Sequence, residues 1–368
     1  MLFIDKYSVN TDEDVKFNHG AYKLVKLLSR NESIPHMIVL GDQGIGKKSL
    51  INYYIKEKYK LNKIKTNLKN IAIKCSNKEI NFNFMYSNYH YLIEPSKYGV
   101  YDKQIIQFLL NDILKYKPIN KTNYHLIVVN NADRLTIEAQ QSLRRTLEKF
   151  IHNCRFIFLV NSNNSMIDPI RSRCLLIKLN HPTVRESCDI LEGIAKNEGI
   201  PCTRESIMRL IDCNQNLKEA INRMQLLSTL KIDLTDAKAV QEYLYLNDNC
   251  FIVVRLLLEN AHRDINISDL IREIRQLVQD MLTECIDPIL IIKRIFYFVM
   301  EHLNNLNQEQ MLCHVIRLTN RSINGIKCCN KPIYYIEGFC LQIYELFDNS
   351  LTTDNKKESD CQVPKPVA

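Results

Sequence analysis

The sequence predicts an α/β domain on a parallel sheet, then a small helical domain, a larger helical domain and a polar tail. Short, continuously apolar runs alternate with helical patterns through the first half, as expected of strands buried on both faces between helices. The strand-like runs stop at His181-Pro182-Thr183, where three short helical stretches begin, punctuated by Gly199, Pro201 and Asn214-Gln215-Asn216. From about residue 250 the pattern is helical to about 348, and from Leu351 it is polar and expected to be disordered. The expected boundaries are 1–181, 182–245, 246–350 and 351–368.

In order, the strand candidates are MIVL (37–40), HLIVV (125–129), CRFIFLV (154–160) and CLLIKL (174–179). Each is an apolar run of strand length. The helices between them are KSLINYYIKEKY (48–59), KQIIQFLLNDILKY (103–116) and TIEAQQSLRRTLEKF (136–150), the last starting on Thr136 as N-cap. Farther on, SDLIREIRQLVQDML (268–282) and PILIIKRIFYFVM (288–300) are helices apolar enough to need one another or a partner. There is no internal repeat.

The 368 residues are 46% hydrophobic and 24% charged, a globular balance too long for one ordinary domain. Lys plus Arg outnumber acids 49 to 41, and the net charge of +8 permits an anionic partner without requiring one. The thirteen cysteines form no CxxC pair, and Cys328-Cys329 is their only close spacing. They are expected to be reduced thiols, and no metal ligands are assigned. The N-terminal MLFIDKYSVN has no secretory apolar run, and no segment approaches the roughly 20 apolar residues of a membrane span. A soluble intracellular protein is expected.

The chemistry concentrates in GDQGIGKKSL (41–50), a strand followed by Gly41-x4-Gly46-Lys47 and a helix. Gly41, Gly44 and Gly46 let backbone N–H groups turn inward on a phosphate. Lys47 meets the β- and γ-phosphates at the positive end of a helix. The next residue would usually be Ser or Thr, whose hydroxyl holds magnesium. Here it is Lys48, with Ser49 one step late, and an ammonium cannot ligate a metal. The strand that should end in a magnesium-binding acid and a water-polarising acid ends instead in Asn130 and Asn131. Asp133 is either a cap or ion-pair residue or a displaced base. Nucleotide binding, to ATP or ADP, is therefore expected with weak or absent magnesium and little hydrolysis. Asn161 closes another strand where a side chain could face the γ-phosphate. Arg171 and Arg173 then sit on a loop, either as surface arginines or as an arginine finger supplied in trans.

These residues resemble one family, the small subunits of replication factor C, the eukaryotic clamp loader, within the AAA+ ATPases. The resemblance rests on FIDKYS (3–8), SNYH (87–90), EPS (94–96), AQQSLRRTLEKF (139–150), NSNNSMIDPIRSRC (161–174), TECIDPILIIKRI (283–295) and KPIYYIEGF (331–339). It implies an AAA+ P-loop domain, a helical lid and an all-α collar for oligomerisation. The GKK loop and the degenerate acid box resemble the terminal small subunit that binds nucleotide without hydrolysing it. By that resemblance Arg173 corresponds to the finger, Asn161 to the first sensor and Lys218 to the second sensor, usually arginine. Tyr7 corresponds to an aromatic near the base, although DKYSVN lacks the family's Arg-Pro, and the acid box keeps neither acid.

The resemblance also implies partners: the other subunits of a hetero-pentamer, the sliding clamp and the backbone of primer-template DNA, with no membrane. Ile105, Ile106, Phe108 and Leu109 are expected to be exposed near the start of their helix, where relatives touch the clamp. An ordinary core stripe is the competing expectation. Arg144 and Arg145 are candidates for DNA phosphates, with solvated or intersubunit roles equally open. Nuclear localisation is inherited from the family. The alternatives are a stand-alone P-loop ATPase or helicase, a subunit of a checkpoint or cohesion loader, and a catalytically dead AAA+ scaffold.

Overall fold

In the computed structural model, residues 2–75, 78–114, 124–150, 153–211, 216–240, 248–260, 267–306, 309–329 and 331–359 are described. The chain divides into two compact units, Met1–Val240 and Gln241–Ala368.

The first unit holds a seven-stranded sheet in the order β2-β3-β4-β5-β6-β1-β7. Its strands are β1 (His36–Leu40), β2 (Asn67–Cys75), β3 (Lys78–Tyr86), β4 (Tyr91–Ile93), β5 (His125–Val129), β6 (Cys154–Val160) and β7 (Cys174–Lys178). From β4 to β7 every pairing is parallel. The expected parallel sheet is there, extended at one edge by β2, β3 and β4, which run antiparallel. Only two residues separate β2 from β3, too few for a crossover helix, so the two strands pair antiparallel.

Period-two alternation sends each central strand's side chains to two separate cores. Ile38, Ile127, Val129, Phe156 and Phe158 face one core, packed by α4 (Asp102–Leu114) and α5 (Ile137–Lys149). Met37, Val39, Leu126, Val128, Ile157 and Leu159 face the other, packed by α2 (His19–Arg30) and α3 (Lys47–Tyr59). That two-sided burial is why these runs carry no polar alternation. The short α1 (Phe3–Lys6) and α6 (Asp168–Arg171) lie at the start of the chain and before β7.

Local signals set the helix starts. Thr136 caps α5, accepting from the Ala139 N–H at 3.2 Å. The buried Asp102 carboxylate in turn accepts from the Thr136 N–H at 2.7 Å and its hydroxyl at 2.9 Å, tying the start of α5 to the start of α4. Three lid helices follow, α7 (Val184–Glu198), α8 (Arg204–Leu210) and α9 (Leu217–Thr229). Thr183 and Glu186 form a capping box at the head of α7, and Gly199 ends it at φ 67°, a left-handed conformation that favours glycine.

The second unit is helical: α10 (Asn249–Asn260), α11 (Ile267–Thr283), α12 (Pro288–Leu306), α13 (Glu309–Cys328) and α14 (Ile333–Ser359). The apolar runs foreseen there pack on one another, with Ile274, Val278, Ile291, Ile295 and Phe339 in one core. Arg275 donates twice to the buried Glu337 carboxylate, at 2.7 and 2.9 Å. A Cβ on Gly325 would stand 2.1 Å from the Tyr335 ring, so α13 can approach α14 there only as glycine. The tail expected to be disordered from Leu351 continues as helix to Ser359, because no Gly or Pro interrupts it before Pro364. Residues 360–368 lie outside the described residues.

Candidate functional site

The phosphate loop leaves β1 at Leu40 and enters α3 at Lys47, with Gly44 at φ 88° and Gly46 at φ 102°. Both angles are strained for any side chain, so the glycines are what allow the loop to turn its N–H groups inward. Gly41 donates to the Val160 carbonyl at 3.1 Å, and a Cβ there would press on Leu179 at 3.2 Å. Gly44 meets the lid: a Cβ would lie 2.1 Å from Asn216 Oδ1. Asn216 is the N-cap of α9, so the lid helix starts directly over the loop.

The Lys47 ammonium donates to the carbonyls of Gly41 and Asp42 and, at 2.6 Å, to Asn161 Oδ1. Asn161 Nδ2 in turn donates to Asp133 at 3.3 Å. A lysine can only donate and a carboxylate can only accept, so chemistry fixes which way this amide points. Burial lowers the Lys47 pKa, against the raising influence of Asp133 and Asp42. Asp133 does not cap a helix here: it completes an ammonium–amide–carboxylate chain, and its Oδ1 is buried with no hydrogen-bond partner among the described residues.

The amides at the end of β5 are engaged too. Asn130 is buried, and its N–H donates to the Ile93 carbonyl at 2.9 Å. Asn131 is left-handed at φ 49° and donates to the carboxylate of Glu94, just past β4. Burial would raise the Glu94 pKa, but hydrogen bonds from Lys97, Asn130 and Asn131 hold it below the usual carboxylate value. In the sequence Glu94 figures only within the EPS stretch and has no role assigned; its contact spans 37 residues and only strand order brings it close.

Lys48 is exposed and Ser49 half-buried. With an ammonium at the hydroxyl position and amides where acids are needed, this donor set does not fit a catalytic magnesium ion. A phosphate does fit the loop. Tyr7 is half-buried and donates to Glu198 of α7 at 2.7 Å, beside the Lys6–Glu198 ion pair, so the N-terminal box rests on the lid. Lys218 is an exposed residue of α9, and the lid side chain brought against the loop is Asn216. A smaller cavity of about 450 Å³ adjoins the loop, lined by Asp42, Asn161 and His181 among others. There the His181 ring contacts Asp42 at 2.6 Å.

Arg173 lies elsewhere. It immediately precedes β7, which pairs in parallel with β1 so that Cys174 faces His36 and Lys178 faces Leu40. The loop follows Leu40, so Arg173 sits five residues back along the strand, about 16 Å at 3.3 Å per residue. Its guanidinium pairs at 2.8 Å with Glu148 of α5, which lines an open cleft of about 1190 Å³ together with Arg144, Arg145, Asp168 and Arg171. Gln140, buried, fixes this wall: its amide donates to the Ser165 carbonyl at 2.9 Å and accepts from the Ile167 N–H at 2.9 Å. Arg144 and Arg145 are both exposed, and Arg144 contacts Glu148 at 3.4 Å.

The expected docking stripe on α4 needs correcting. Ile105, Ile106 and Leu109 are at most 1% exposed, packed into the core beneath the sheet, and only Phe108 reaches the surface, 43% exposed. Positions i, i+1 and i+4 form one helix face, and α4 turns that face inward.

Two family descriptions match the chain. Residues 18–183 match DNA polymerase III, delta subunit, and residues 251–351 match Replication factor C subunit 3, C-terminal domain. Replication factor C subunit 5 of Neurospora crassa is 29% identical over 355 residues, covering 94% of this chain and 97% of its own length. Replication factor C subunit 3 of Arabidopsis thaliana is 28% identical over 362 residues, covering 95% and 99%. Among solved structures, the Thermotoga maritima RuvB Holliday junction branch migration motor aligns with a TM-score of 0.48 at 13% identity, over 73% of this chain and 85% of its own.

Proposed function

This chain belongs to the replication factor C small subunits, AAA+ clamp-loader components of DNA replication, and we propose that it works chiefly on a neighbour's nucleotide. In this reading the chain holds ATP or ADP on Gly41, Gly44, Gly46 and Lys47 without turning it over. Arg173 reaches across a subunit interface to the γ-phosphate of the adjacent ATP, where charge develops during transfer. The complex is a nuclear hetero-pentamer that loads the sliding clamp onto primer-template DNA. Phe108 is what remains of the proposed clamp contact, Arg144 and Arg145 meet DNA phosphates or the neighbouring subunit, and the second unit is the collar.

The observation that carries the reading is the position of Arg173. An arginine about 16 Å along the sheet from its own phosphate loop, paired with Glu148 on the wall of an open cleft, is placed for someone else's phosphate. The closed state of the chain's own corner agrees: Asn130 and Asn131 bond to Glu94, and Lys48 replaces the metal-holding hydroxyl.

The test is single-turnover hydrolysis in an assembled complex where only the adjacent site is competent. Arg173→Ala is expected to lower that rate by about 10³ to 10⁵ and leave nucleotide binding to this chain's own loop unchanged. Arg173→Lys is expected to rescue poorly, because an ammonium lacks the planar fork. An unaltered rate would return Arg173 to a surface loop and the protein to an inert scaffold.

A further inference from the structure

Arg173 does not stand free. Its Nη2 pairs with Glu148 Oε1 at 2.8 Å, and its Nη1 donates to the Pro169 carbonyl at 2.7 Å. The same Glu148 oxygen also accepts from Arg144 Nε, at the longer distance of 3.4 Å. One carboxylate is thus shared between the arginine before β7 and an arginine one turn back on its own helix.

Geometry makes this sharing specific. Leu143 and Leu147 are buried at 1% or less and lock the rotation of α5, which puts Arg144 and Glu148 on its exposed side. Gln140 bonds to the segment leading into Asp168–Arg171, so the distance from α5 to that segment is set by a buried amide. Side chains remain the adjustable part. The Arg173–Glu148 pair is 38% and 46% exposed, hence screened and easily exchanged.

We propose that Glu148 is a latch on Arg173, holding the guanidinium against α5 until a neighbour's terminal phosphate displaces it, whereupon Glu148 passes to Arg144. The proposal rests on Arg173 acting across an interface. A terminal phosphate carries more negative charge than a carboxylate and offers three acceptor oxygens, so it out-competes Glu148 for the guanidinium. Until then the carboxylate half-neutralises Arg173 and repels an incoming anion. Glu148 touches no reacting atom in this scheme; it is a positioning residue that sets how much adjacent-site ATP is needed to engage the finger.

The test uses the assembled complex with only the adjacent site competent, titrated with ATP and magnesium, comparing wild type, Glu148→Gln, Arg144→Gln, Arg173→Ala and the Glu148→Gln/Arg173→Ala double variant. Glutamine keeps the size of the side chain at an exposed position, so folding is undisturbed. Glu148→Gln is expected to lower the half-saturating ATP concentration about five-fold or more, the smaller end of ordinary coupling between sites, with far less change in the saturated rate. Arg144→Gln removes the alternative partner and is expected to raise the half-saturating concentration. In the Arg173→Ala background the Glu148→Gln effect is expected to vanish, which a merely structural role of Glu148 would not produce. If Arg173→Ala slows hydrolysis but Glu148→Gln leaves half-saturation unchanged or raises it, the latch is overturned and the finger stands. Persistence of the Glu148→Gln effect without Arg173 overturns the latch as well. If Arg173→Ala itself changes nothing, the reading of Arg173 fails and takes the latch with it.

Discussion

At the C-terminal ends of β1, β5 and β6 the polar groups bond to one another, save Asp133 Oδ1, which has no partner among the described residues, whereas along α5 they line an open cleft. Lys47, Asn161 and Asp133 form one chain in the first region, and Asn130, Asn131 and Glu94 another. In the second, Arg144 and Arg173 share Glu148, Arg171 pairs with Asp168, and Arg145 is exposed beside them. A phosphate entering the first region must displace bonds that already fix each group. One approaching the second finds a surplus of guanidinium and only weak pairs to exchange. On the proposed function, the difference separates two tasks: holding a nucleotide, and stabilising the charge of its cleavage.

If the closed regions are rigid and the open ones exchangeable, substitutions should divide accordingly. The largest contrast is on α4. Ile105→Ala is expected to lower stability by about 2–5 kcal/mol through the cavity it leaves, while Phe108→Ala on the exposed side costs less than about 1 kcal/mol. Chemical denaturation of the two variants checks this, and equal losses would mean that α4 has no open face. Gly44→Ala should come next. Its left-handed backbone alone costs about 1–2 kcal/mol, and the new methyl must push Asn216 away, so nucleotide affinity should fall together with stability. Retained affinity would show that the lid does not close on the loop in solution.

Asn131→Glu is expected to be smaller, about 1 kcal/mol. It sets a second carboxylate against Glu94 and raises both pKa values, so the loss is larger at neutral pH than near pH 4, where the pair can share a proton. Even combined with Asn130→Asp it should not confer turnover, since Lys48 still occupies the hydroxyl position. A magnesium-dependent ATPase in the purified double variant would break the contrast between the two regions. Smallest is Arg145→Ala on the cleft: DNA affinity of the assembled complex should drop modestly and its salt slope fall by about one. An unchanged slope would assign Arg145 to the neighbouring subunit instead.

The central strands were legible in the sequence because burial on both faces writes a continuous apolar run. The β2–β3 hairpin was not singled out, although Ile80-Asn81-Phe82-Asn83-Phe84 alternates as a one-sided strand does. The phosphate loop, Asn161 and the arginine segment could be picked out as candidates because each is a local motif. Their partners were not. Glu94 reaches Asn131, and Glu148 reaches Arg173, only through strand order and helix packing. On α4 the stripe of Ile105, Ile106 and Leu109 reads the same for a core and for a docking face, and only packing decides. The resemblance put Lys218 at the second sensor, yet cap geometry puts Asn216 over Gly44.

The central claim, that this chain's own corner is silent while its arginine acts next door, is tested most directly by two variants in one assay. In an assembled complex where only the adjacent site is competent, single-turnover hydrolysis is measured for Lys47→Ala and Arg173→Ala. The expected result is a dissociation: Lys47→Ala weakens nucleotide binding at this chain's loop yet leaves the adjacent rate within a few-fold, while Arg173→Ala lowers that rate by about 10³ or more. The reverse pattern, with hydrolysis lost on Lys47→Ala despite intact assembly and preserved on Arg173→Ala, would contradict the account.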